Sequence, residues 1–246
     1  MIRFFIIILY IIFIAIFTIF DAIFCLFLSL FDKDKIKIHS MQVVQHFMKV
    51  VIFISGVKVN VIGLDNLKSL NDEKSIFIIS NHRGFFDIIT GYPLFTKYTG
   101  IVAKDSLSKV PLLHYWMKRI DCLFLKRDDI RDGMKMVINA INNINNGVSM
   151  WIFPEGTRCK SSDPTEVLEF KAGTFKIAEK TDSYILPMSF KNTEKAFENQ
   201  KPWVVPTDIY INIGKPYKIS ELNDTNRENI AEFSRNIMKK LLMEGK

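Results

Sequence analysis

The chain has 246 residues, a hydrophobic fraction of 48% and 21 phenylalanines, a composition that excludes a disordered protein. Its formal net charge of +7 suits phosphate-bearing partners such as anionic lipids, nucleotides or nucleic acid, but charge alone does not choose among them. Cys25, Cys122 and Cys159 form no CxxC pair, so neither a structural zinc site nor a disulfide framework is expected.

The chain begins with a long apolar run. Between Phe4 and Phe31 the only charged residue is Asp21, and a helix of that length would measure about 42 Å, more than the roughly 30 Å of a bilayer's hydrocarbon core. The run is too long for the core of a signal peptide and ends in no small-residue cleavage site. We therefore predict that residues 1–55 anchor the chain to a membrane.

The topology of this anchor stays open between a spanning helix and a hairpin or helix that lies in one leaflet. Asp21 weakens a simple span because a carboxylate at membrane depth is costly. Lys33, Lys35 and Lys37 follow the apolar run, and this bias predicts that the rest of the chain lies on the cytoplasmic side of the cell membrane.

Residues 56–246 have the pattern of one α/β domain. Short alternating or continuous apolar runs predict strands at 57–63, 75–80, 101–104, 122–127, 148–153, 184–190 and 209–214. Apolar residues at helical spacing predict helices at 41–55, at 130–146 and from Ile230 to Leu241. Strands that alternate with helices predict a layered domain with a central mixed sheet flanked by helices. Ser, Asp, Asn and Pro predict loops at 159–168 and 192–207.

The segment SNHRGFFD, residues 80–87, directly follows a predicted buried strand. Residues at the spacing of His82 and Asp87 lie about 140° apart on a helix and on opposite faces of a strand. The two side chains can therefore meet only if His82 lies on a turn and Asp87 on the helix that follows, with Gly84 relieving the turn.

Such a pair has a recognisable chemistry. A histidine that titrates near neutral pH can accept a proton, and an aspartate on its other ring nitrogen fixes the tautomer. No GxSxG segment is present and Ser80 precedes the turn, so the hydroxyl that loses its proton is expected to belong to the substrate. Spacing alone does not exclude the alternative that Asn81 and Asp87 cap a helix while His82 only packs.

The segment FPEGTRC, residues 153–159, ends another predicted strand. Pro154 ends the strand, Gly156 allows a tight turn, and the guanidinium of Arg158 suits a phosphate. Glu155 is expected either to hold Arg158 or to accept a bond from a glycerol hydroxyl. An ordinary strand-end turn with a solvated ion pair is the alternative.

Weaker signals lie nearby. FLKR, residues 124–127, places Lys126 and Arg127 at a strand end, where charge pairs are usually only a solvated edge. In FKAGTFKIA, residues 170–178, Lys171 precedes a short helix whose N-terminus suits an anion. Pro187 in a buried-looking strand predicts a bulge or a strand edge.

The blocks NHRGFFD, FLKR, FPEGTRC with FKAGTFKIA, and ILPMSF, in this order between about Val57 and Pro216, resemble the 1-acyl-sn-glycerol-3-phosphate acyltransferase family. This family comprises the lysophosphatidic acid acyltransferases, or PlsC-like glycerolipid acyltransferases. The resemblance implies transfer of a fatty acyl group from acyl-CoA or acyl carrier protein to the sn-2 hydroxyl of 1-acyl-glycerol-3-phosphate, which gives phosphatidic acid. It implies no cofactor beyond the thioester co-substrate, no metal and no nucleic acid, with membrane lipids as partners.

The resemblance also implies roles for individual residues. His82 would be the general base and Asp87 its orienter. Pro187 would shape the acyl-donor side, and Lys104 matches a commonly basic position. The glycerol-phosphate side of the site would be formed by Arg127, Glu155, Gly156, Thr157 and Arg158.

The chain departs from the family pattern at three positions. Gly84 replaces a usual serine, which puts a hydroxyl contact there in doubt. Asp121 stands where glycine often occurs and adds a carboxylate that would weaken a nearby anion site. Cys159 replaces a usual serine conservatively.

Rival functions also remain. The acceptor would be glycerol-3-phosphate or another lysolipid in one alternative, and the acyl group would pass through Cys159 in another. A lipid-binding protein without catalysis is a third alternative. A nucleic-acid binder would lack a recognisable motif.

Overall fold

The computed structural model describes residues 2–28, 33–126 and 129–244. Its α-helices are α1 (Ile2–Leu28), α2 (Lys33–Ser55), α3 (Leu64–Lys68), α4 (Phe85–Gly91), α5 (Pro111–Arg119), α6 (Ile130–Asn145), α7 (Lys176–Thr181), α8 (Thr193–Ala196), α9 (Asp224–Glu228) and α10 (Ile230–Glu244). Its strands are β1 (Lys58–Ile62), β2 (Phe77–Ser80), β3 (Thr99–Lys104), β4 (Leu123–Leu125), β5 (Ser149–Ile152), β6 (Ile185–Lys191) and β7 (Asp208–Ile213).

The strands form one mixed sheet in the order β1-β7-β6-β2-β5-β3-β4. Neighbouring strands are parallel except β6 and β7, which are antiparallel. Each predicted strand segment overlaps one of these strands, which confirms the predicted α/β class with a central mixed sheet. The carboxyl ends of β2 and β5 lie side by side, because these two strands pair in parallel. The two segments predicted to carry the chemistry therefore begin next to each other.

The helix predictions are confirmed where local chemistry is strong. The side chain of Asp129 accepts hydrogen bonds from the N–H groups of Arg131 (2.9 Å) and Asp132 (3.1 Å) and so caps the start of α6. Gly147 follows the helix with a φ of 85°, a conformation that glycine adopts at helix C-termini. The predicted helix at 41–55 is the second part of the longer α2.

The loop prediction for 192–207 is wrong in part, whereas 159–168 contains no helix or strand, as predicted. Helix α8 and a 3₁₀ helix at Glu198–Gln200 occupy the first half of 192–207. Thr193 and Ala196 have no exposed surface. Three of the four residues of α8, Glu194, Lys195 and Ala196, favour helices, so local propensity and tertiary burial both act against the predicted loop.

The core consists of two layers, one on each face of the sheet. Along β2, Ile78 packs in one layer with Trp151, while Phe77 and Ile79 pack in the other with Met150. This alternation follows from the two-residue period of a strand that is covered on both faces. Helices α6, α7 and α10 cover the second layer. Helix α2 contributes Met41 and Val44 to the first, so the predicted anchoring segment also supplies part of the domain's core.

Helices α1 and α2 pack as an antiparallel pair. Asp21 meets His39 near one end of the pair, and the guanidinium of Arg3 lies beside Gly56 at the other. Among the described residues, α1 is the one helix that is long and apolar enough to cross a membrane by length and composition. Its outer face exposes large apolar side chains, among them Ile2, Phe5, Leu9, Ile12, Phe13, Ile16, Ile19, Phe20 and Ile23.

Candidate active site

The turn after β2 brings His82 and Asp87 together. The Nδ1 atom of His82 lies 2.7 Å from Oδ2 of Asp87, which has no exposed surface. His82 lies on the turn and Asp87 in the first turn of α4, as their spacing predicts. The same Oδ2 accepts the N–H groups of Arg83 (2.8 Å) and Gly84 (2.9 Å). Asp87 therefore both caps the helix and holds the imidazole, so the two competing interpretations of this aspartate are compatible.

The proposed capping role of Asn81 is wrong. Its side chain donates to the carbonyl of Phe190 (2.9 Å) and accepts the N–H of the same residue (2.8 Å). Asn81 thereby continues the pairing of β2 with β6 beyond the last strand residue, because its amide reproduces the backbone pattern of the neighbouring strand. This pairing fixes the position along β6 at which the following turn leaves the sheet.

Glu155 supports the same turn from the neighbouring strand. Its Oε1 accepts the backbone N–H of His82 at 2.6 Å, and its Oε2 accepts the N–H of Leu168 at 3.0 Å. Burial raises the pKa of Glu155 to about 7, although the two N–H donors act to lower it. The prediction that Glu155 holds Arg158 is wrong, since both of its oxygens are bound to backbone donors instead.

Gly156 and Lys171 lie against each other. Gly156 has a φ of 69°, which an L side chain rarely adopts. A Cβ atom at this position would lie 2.8 Å from Cε and 2.9 Å from Nζ of Lys171. The backbone of Lys171 also donates to the carbonyl of Pro154 at 3.0 Å. The two segments that were singled out as possible anion sites therefore form one surface.

Arg158 is bound by two groups that the sequence did not suggest. Its guanidinium lies 4.2 Å from the centre of the Phe85 ring. Its Nη1 lies 3.5 Å from Oε1 of Glu198, and 30% of the side chain is exposed. The cation is therefore held loosely at the edge of the site rather than buried in it.

Arg83 was also missed by the sequence analysis. It is almost completely buried, pairs through Nε with Glu194 at 3.1 Å, and donates to the carbonyls of Ser161 (2.7 Å) and Asp163 (3.1 Å). These bonds tie the histidine turn to the loop after the FPEGTR segment. In the sequence, only the position of Arg83 next to His82 suggests a role for it. Its partners lie far along the chain, so no local pattern predicts them.

A cavity of about 1370 Å³ opens beside these groups, larger than the roughly 300–1,000 Å³ of typical small-molecule sites. Its wall includes His82, whose Nε2 forms no hydrogen bond to any residue that the structure describes. Gly156, Thr157 and Arg158 belong to the same wall. Helices α1, α2, α5 and α6 supply apolar side chains, among them Ile14, Phe47, Trp116 and Val137.

Positive charge predominates in the polar part of this wall. Among the residues that the structure describes, the charged lining residues are the basic Lys104, Arg158, Lys160, Lys171 and Lys176 and the acidic Asp129. The cavity thus combines an extensive apolar surface with cations that suit a phosphate. Lys104, which is exposed at the end of β3, belongs to this set.

Other predicted site residues lie elsewhere. Arg127 falls outside the described residues. Lys126 is exposed, and its backbone N–H donates to Asp132 at 2.7 Å. Asp121 does not line the cavity and pairs with Lys37 at 3.1 Å, so the expected weakening of the anion site is wrong. Its φ of 51° explains why glycine suits this position.

Pro187 is buried and is absent from the described wall of the cavity. Its carbonyl accepts the N–H of Gly214 at 2.9 Å, while Ile185 pairs with Tyr217. The register of the two strands therefore shifts by one residue beside the proline, in agreement with the predicted bulge.

Neither Ser80 nor Cys159 is placed to act as a nucleophile at this site. Ser80 is fully buried and accepts the indole N–H of Trp151 at 2.8 Å. Cys159 is 4% exposed and does not belong to the described cavity wall. Its backbone N–H donates to the carbonyl of His82 at 2.8 Å, so its role in the structure is to join the two segments.

One cluster of possible metal ligands lies apart from the cavity. Asp21, Cys25 and His39 present ligand atoms within 4.8 Å of one another. Nη1 of Arg119 lies 3.8 Å from Oδ2 of Asp21. A guanidinium already balances this carboxylate, which makes the position unfavourable for a cation.

Comparisons with known proteins show which family the chain resembles. Residues 58–191 match the family described as Acyltransferase. A 1-acyl-sn-glycerol-3-phosphate acyltransferase of Borreliella burgdorferi is 30% identical over 79% of this chain and 76% of its own length. One from Saccharomyces cerevisiae is 28% identical over 78% of this chain and 60% of its own length.

A solved structure shares the whole architecture. The crystal structure of the 1-acyl-sn-glycerophosphate acyltransferase PlsC from Thermotoga maritima superimposes with a TM-score of 0.77 at 26% identity, covering 96% of this chain and 93% of its own. The sequence blocks, the layered fold and these similarities lead to one assignment: the chain belongs to the 1-acyl-sn-glycerol-3-phosphate acyltransferase family and is an acyltransferase.

Proposed function

We propose that this protein transfers a fatty acyl group from a thioester to the sn-2 hydroxyl of 1-acyl-glycerol-3-phosphate and so forms phosphatidic acid. The observation that carries the proposal is the position of His82. It is oriented by Asp87 at 2.7 Å and lines a large cavity that contains both an apolar surface and a group of cations. The names of the similar proteins support the same acceptor.

The proposed reaction is a direct transfer. Nε2 of His82 accepts the proton of the substrate hydroxyl while its oxygen attacks the thioester carbonyl. The tetrahedral intermediate then collapses, the carbon–sulfur bond breaks, and the thiolate takes the proton from His82. Asp87 keeps Nδ1 protonated and stabilises the imidazolium that forms between these two steps. A well-placed base contributes about two to four powers of ten in rate.

The remaining residues bind and position the acceptor in this proposal. Arg158, Lys104 and Lys171 lie in the cavity wall and would bind the glycerol phosphate. Gly156 and Thr157 lie in the same wall and would contact the glycerol. Arg127 keeps this role as a prediction from the resemblance alone. Glu155 acts as a positioning residue, because it holds the backbone of His82 and not the substrate.

The donor would be acyl-CoA or acyl carrier protein, and the reaction needs no further cofactor. The apolar helices around the cavity would hold the acyl chain. A direct transfer is favoured over an acyl-enzyme at Cys159 because that thiol is buried outside the cavity wall.

We further propose that α1 lies along one leaflet, with the domain on the cytoplasmic side. Both halves of α1 contact the domain, since Phe4 packs on Trp203 at 5.5 Å and Thr18 accepts the indole N–H of Trp116 at 2.9 Å. A helix that left the domain to cross a bilayer would lose one of these contacts. An epitope placed before α1 should then be digested by protease in inside-out vesicles. Protection there, with digestion in right-side-out cells, would indicate a spanning helix.

The central experiment measures acyl transfer by the purified full chain. Lysophosphatidic acid, glycerol-3-phosphate and other lysolipids are each offered with acyl-CoA and with acyl carrier protein, and products are identified by mass spectrometry. We expect phosphatidic acid from the wild type and at least a hundredfold less from His82→Ala. Equal rates for the two proteins, or no wild-type transfer from any thioester, would refute the proposed mechanism.

A further inference from the structure

The glycine at position 84 leaves room that a carboxylate occupies. A Cβ atom on Gly84 would lie 2.9 Å from Cδ of Glu198 and closer still to its Oε2. A serine side chain therefore does not fit here in the observed arrangement. The loss of the side chain at position 84 and the presence of Glu198 are two parts of one local structure.

The position of Glu198 is fixed by contacts that do not involve Arg158. The backbone N–H of Phe85 donates to Oε1 of Glu198 at 2.9 Å. Earlier in this segment, Glu194 of α8 pairs with the buried Arg83 at 3.1 Å. The ring of Phe197 lies 6.1 Å from that of Phe85. Helix α8 and the following 3₁₀ helix are thereby clamped onto the histidine turn.

The carboxylate of Glu198 is only partly satisfied by hydrogen bonds from the described residues. Its Oε2 is buried and has no hydrogen-bond partner among the described residues. Burial raises the pKa of the Glu198 carboxyl, and nearby Asp87 acts in the same direction. The Arg158 guanidinium, 3.5 Å from Oε1, is the cation that faces this carboxylate. Because Oε2 has no partner, Arg158 supplies much of the favourable interaction that offsets the burial of this carboxylate.

We propose that Glu198 is a specificity-determining residue that competes with the phosphate of the acceptor for Arg158. In the empty enzyme, Glu198 holds the guanidinium against the Phe85 ring. A phosphate that binds Arg158 draws it away and leaves the carboxylate to water. The inference rests on the proposed function, because it requires Arg158 to bind the phosphate of the acceptor.

The competition makes a specific kinetic prediction. Glu198→Gln keeps the acceptor oxygen for the N–H of Phe85 and removes the negative charge. We expect the KM for lysophosphatidic acid to fall about threefold to tenfold, with kcat changed by less than about twofold. The KM for the acyl thioester should not change. If Glu198 instead positions Arg158 for binding, the KM for lysophosphatidic acid rises, and this result would overturn the inference.

Three further variants separate competition from a general charge effect. In Arg158→Ala, the KM for lysophosphatidic acid should rise, and adding Glu198→Gln to it should give no further change. Glu221→Gln, on an exposed surface at the end of another 3₁₀ helix, removes the same charge and should leave KM unaltered. A fall in KM for the double variant relative to Arg158→Ala, or for the Glu221 variant, would contradict a contact-specific effect.

The outcomes distinguish this inference from the proposed function. Absence of wild-type transfer to lysophosphatidic acid refutes the function and the inference together. Transfer that is weakened by Arg158→Ala but unaffected by Glu198→Gln refutes the inference alone. A neutral acceptor, 1-acylglycerol, lacks the phosphate, so any turnover with it should respond to neither substitution. Thermal unfolding midpoints establish that every variant is folded.

Discussion

Two histidine–aspartate pairs in the described part of the chain have the same N···O distance and different surroundings. Nδ1 of His82 lies 2.7 Å from Oδ2 of Asp87, and Nε2 of His39 lies 2.7 Å from Oδ1 of Asp21. Both carboxylates are buried. The difference between the two pairs shows that a short contact between these residue types does not by itself indicate catalysis.

The neighbours of each pair separate their roles. The Asp21 carboxylate also faces Arg119 at 3.8 Å and the Tyr115 hydroxyl at 3.4 Å, and His39 lies outside the cavity wall. His82 lines the cavity, and among the described residues the carboxylate of Asp87 accepts its other hydrogen bonds only from backbone N–H groups. The Asp21–His39 pair joins α1 to α2 and α5. In the His82–Asp87 pair, one ring nitrogen of the histidine has no partner among the described residues and is free to meet a substrate.

The largest expected difference is between His82→Ala and His39→Ala. The first should lower kcat for acyl transfer by about a thousandfold, because it removes the base. His39→Ala should keep kcat within about threefold, because His39 does not line the cavity. It should lower the thermal unfolding midpoint, because it removes the partner of the buried Asp21 carboxylate. Both are measured as initial rates and by thermal unfolding in the same detergent. A comparable loss of kcat in both variants would contradict the distinction.

A second test uses the aspartates. Asp87→Asn should reduce kcat about a hundredfold or more, since an amide no longer fixes the imidazole tautomer. Asp21→Asn should instead reduce the free energy of unfolding by about 1–3 kcal/mol, because it removes a buried charged acceptor from His39 and Arg119. Steady-state kinetics and denaturant unfolding measure the two effects. Loss of activity in Asp21→Asn without loss of stability would assign that pair a direct part in the reaction.

Glu155 accepts the backbone N–H of His82, whereas the backbone of His39 lies within a helix. Glu155→Gln tests whether this buried carboxyl titrates near neutral pH in the folded protein. The folded-state pKa of Glu155 is about 7, above the unfolded value of about 4.3. The folded protein therefore binds more protons between these values, and the stabilising contribution of Glu155 is full below the unfolded pKa and lost as pH rises through 7. The stability advantage of the wild type over Glu155→Gln should shrink by on the order of 2 kcal/mol from pH 5 to pH 8.

Unfolding midpoints at each pH measure this change. Glu169→Gln, on an exposed side chain of the neighbouring loop, is the matched control, and its pH curve should run parallel to that of the wild type. A parallel curve for Glu155→Gln as well would show that Glu155 does not titrate in this range.

The smallest effect is expected from Tyr115→Phe. This change removes a hydroxyl 3.4 Å from Asp21, and the carboxylate keeps His39 and Arg119. The free energy of unfolding should fall by about 0.5–1.5 kcal/mol with unchanged kcat, as read from denaturant unfolding and initial rates. A larger loss would mean that the hydroxyl, rather than the Arg119 guanidinium, is the main group of α5 that holds Asp21 of α1.

The sequence predicted the contact between His82 and Asp87 but not the contact between Asp21 and His39, and the reason is the distance along the chain. His82 and Asp87 lie within one strand–turn–helix unit, so the spacing and one glycine restrict their geometry. Asp21 and His39 meet only because two helices pack antiparallel, and no local pattern specifies that register. The strands and the long helices were similarly predictable from their local periodicity.

Long-range polar contacts account for the other differences. The sequence suggested Arg158 as the partner of Glu155, but the carboxylate faces two backbone N–H groups contributed by separate segments. Glu198 lies far along the chain in a stretch that was predicted as a loop, and only tertiary packing brings it to Gly84. A motif identifies which groups are present, while the fold decides which of them pair.

Helix α1 supplies part of the cavity wall, so replacing it with another apolar helix would change the cavity. Ile11 and Ile14 lie in the wall, whereas the opposite side of α1 is exposed. A foreign apolar helix of equal length and hydropathy would serve as an equally good lipid anchor, yet it would present a differently shaped surface to the bound chain. A chimaera of this kind should stay at the membrane and alter the range of fatty acids that the enzyme accepts.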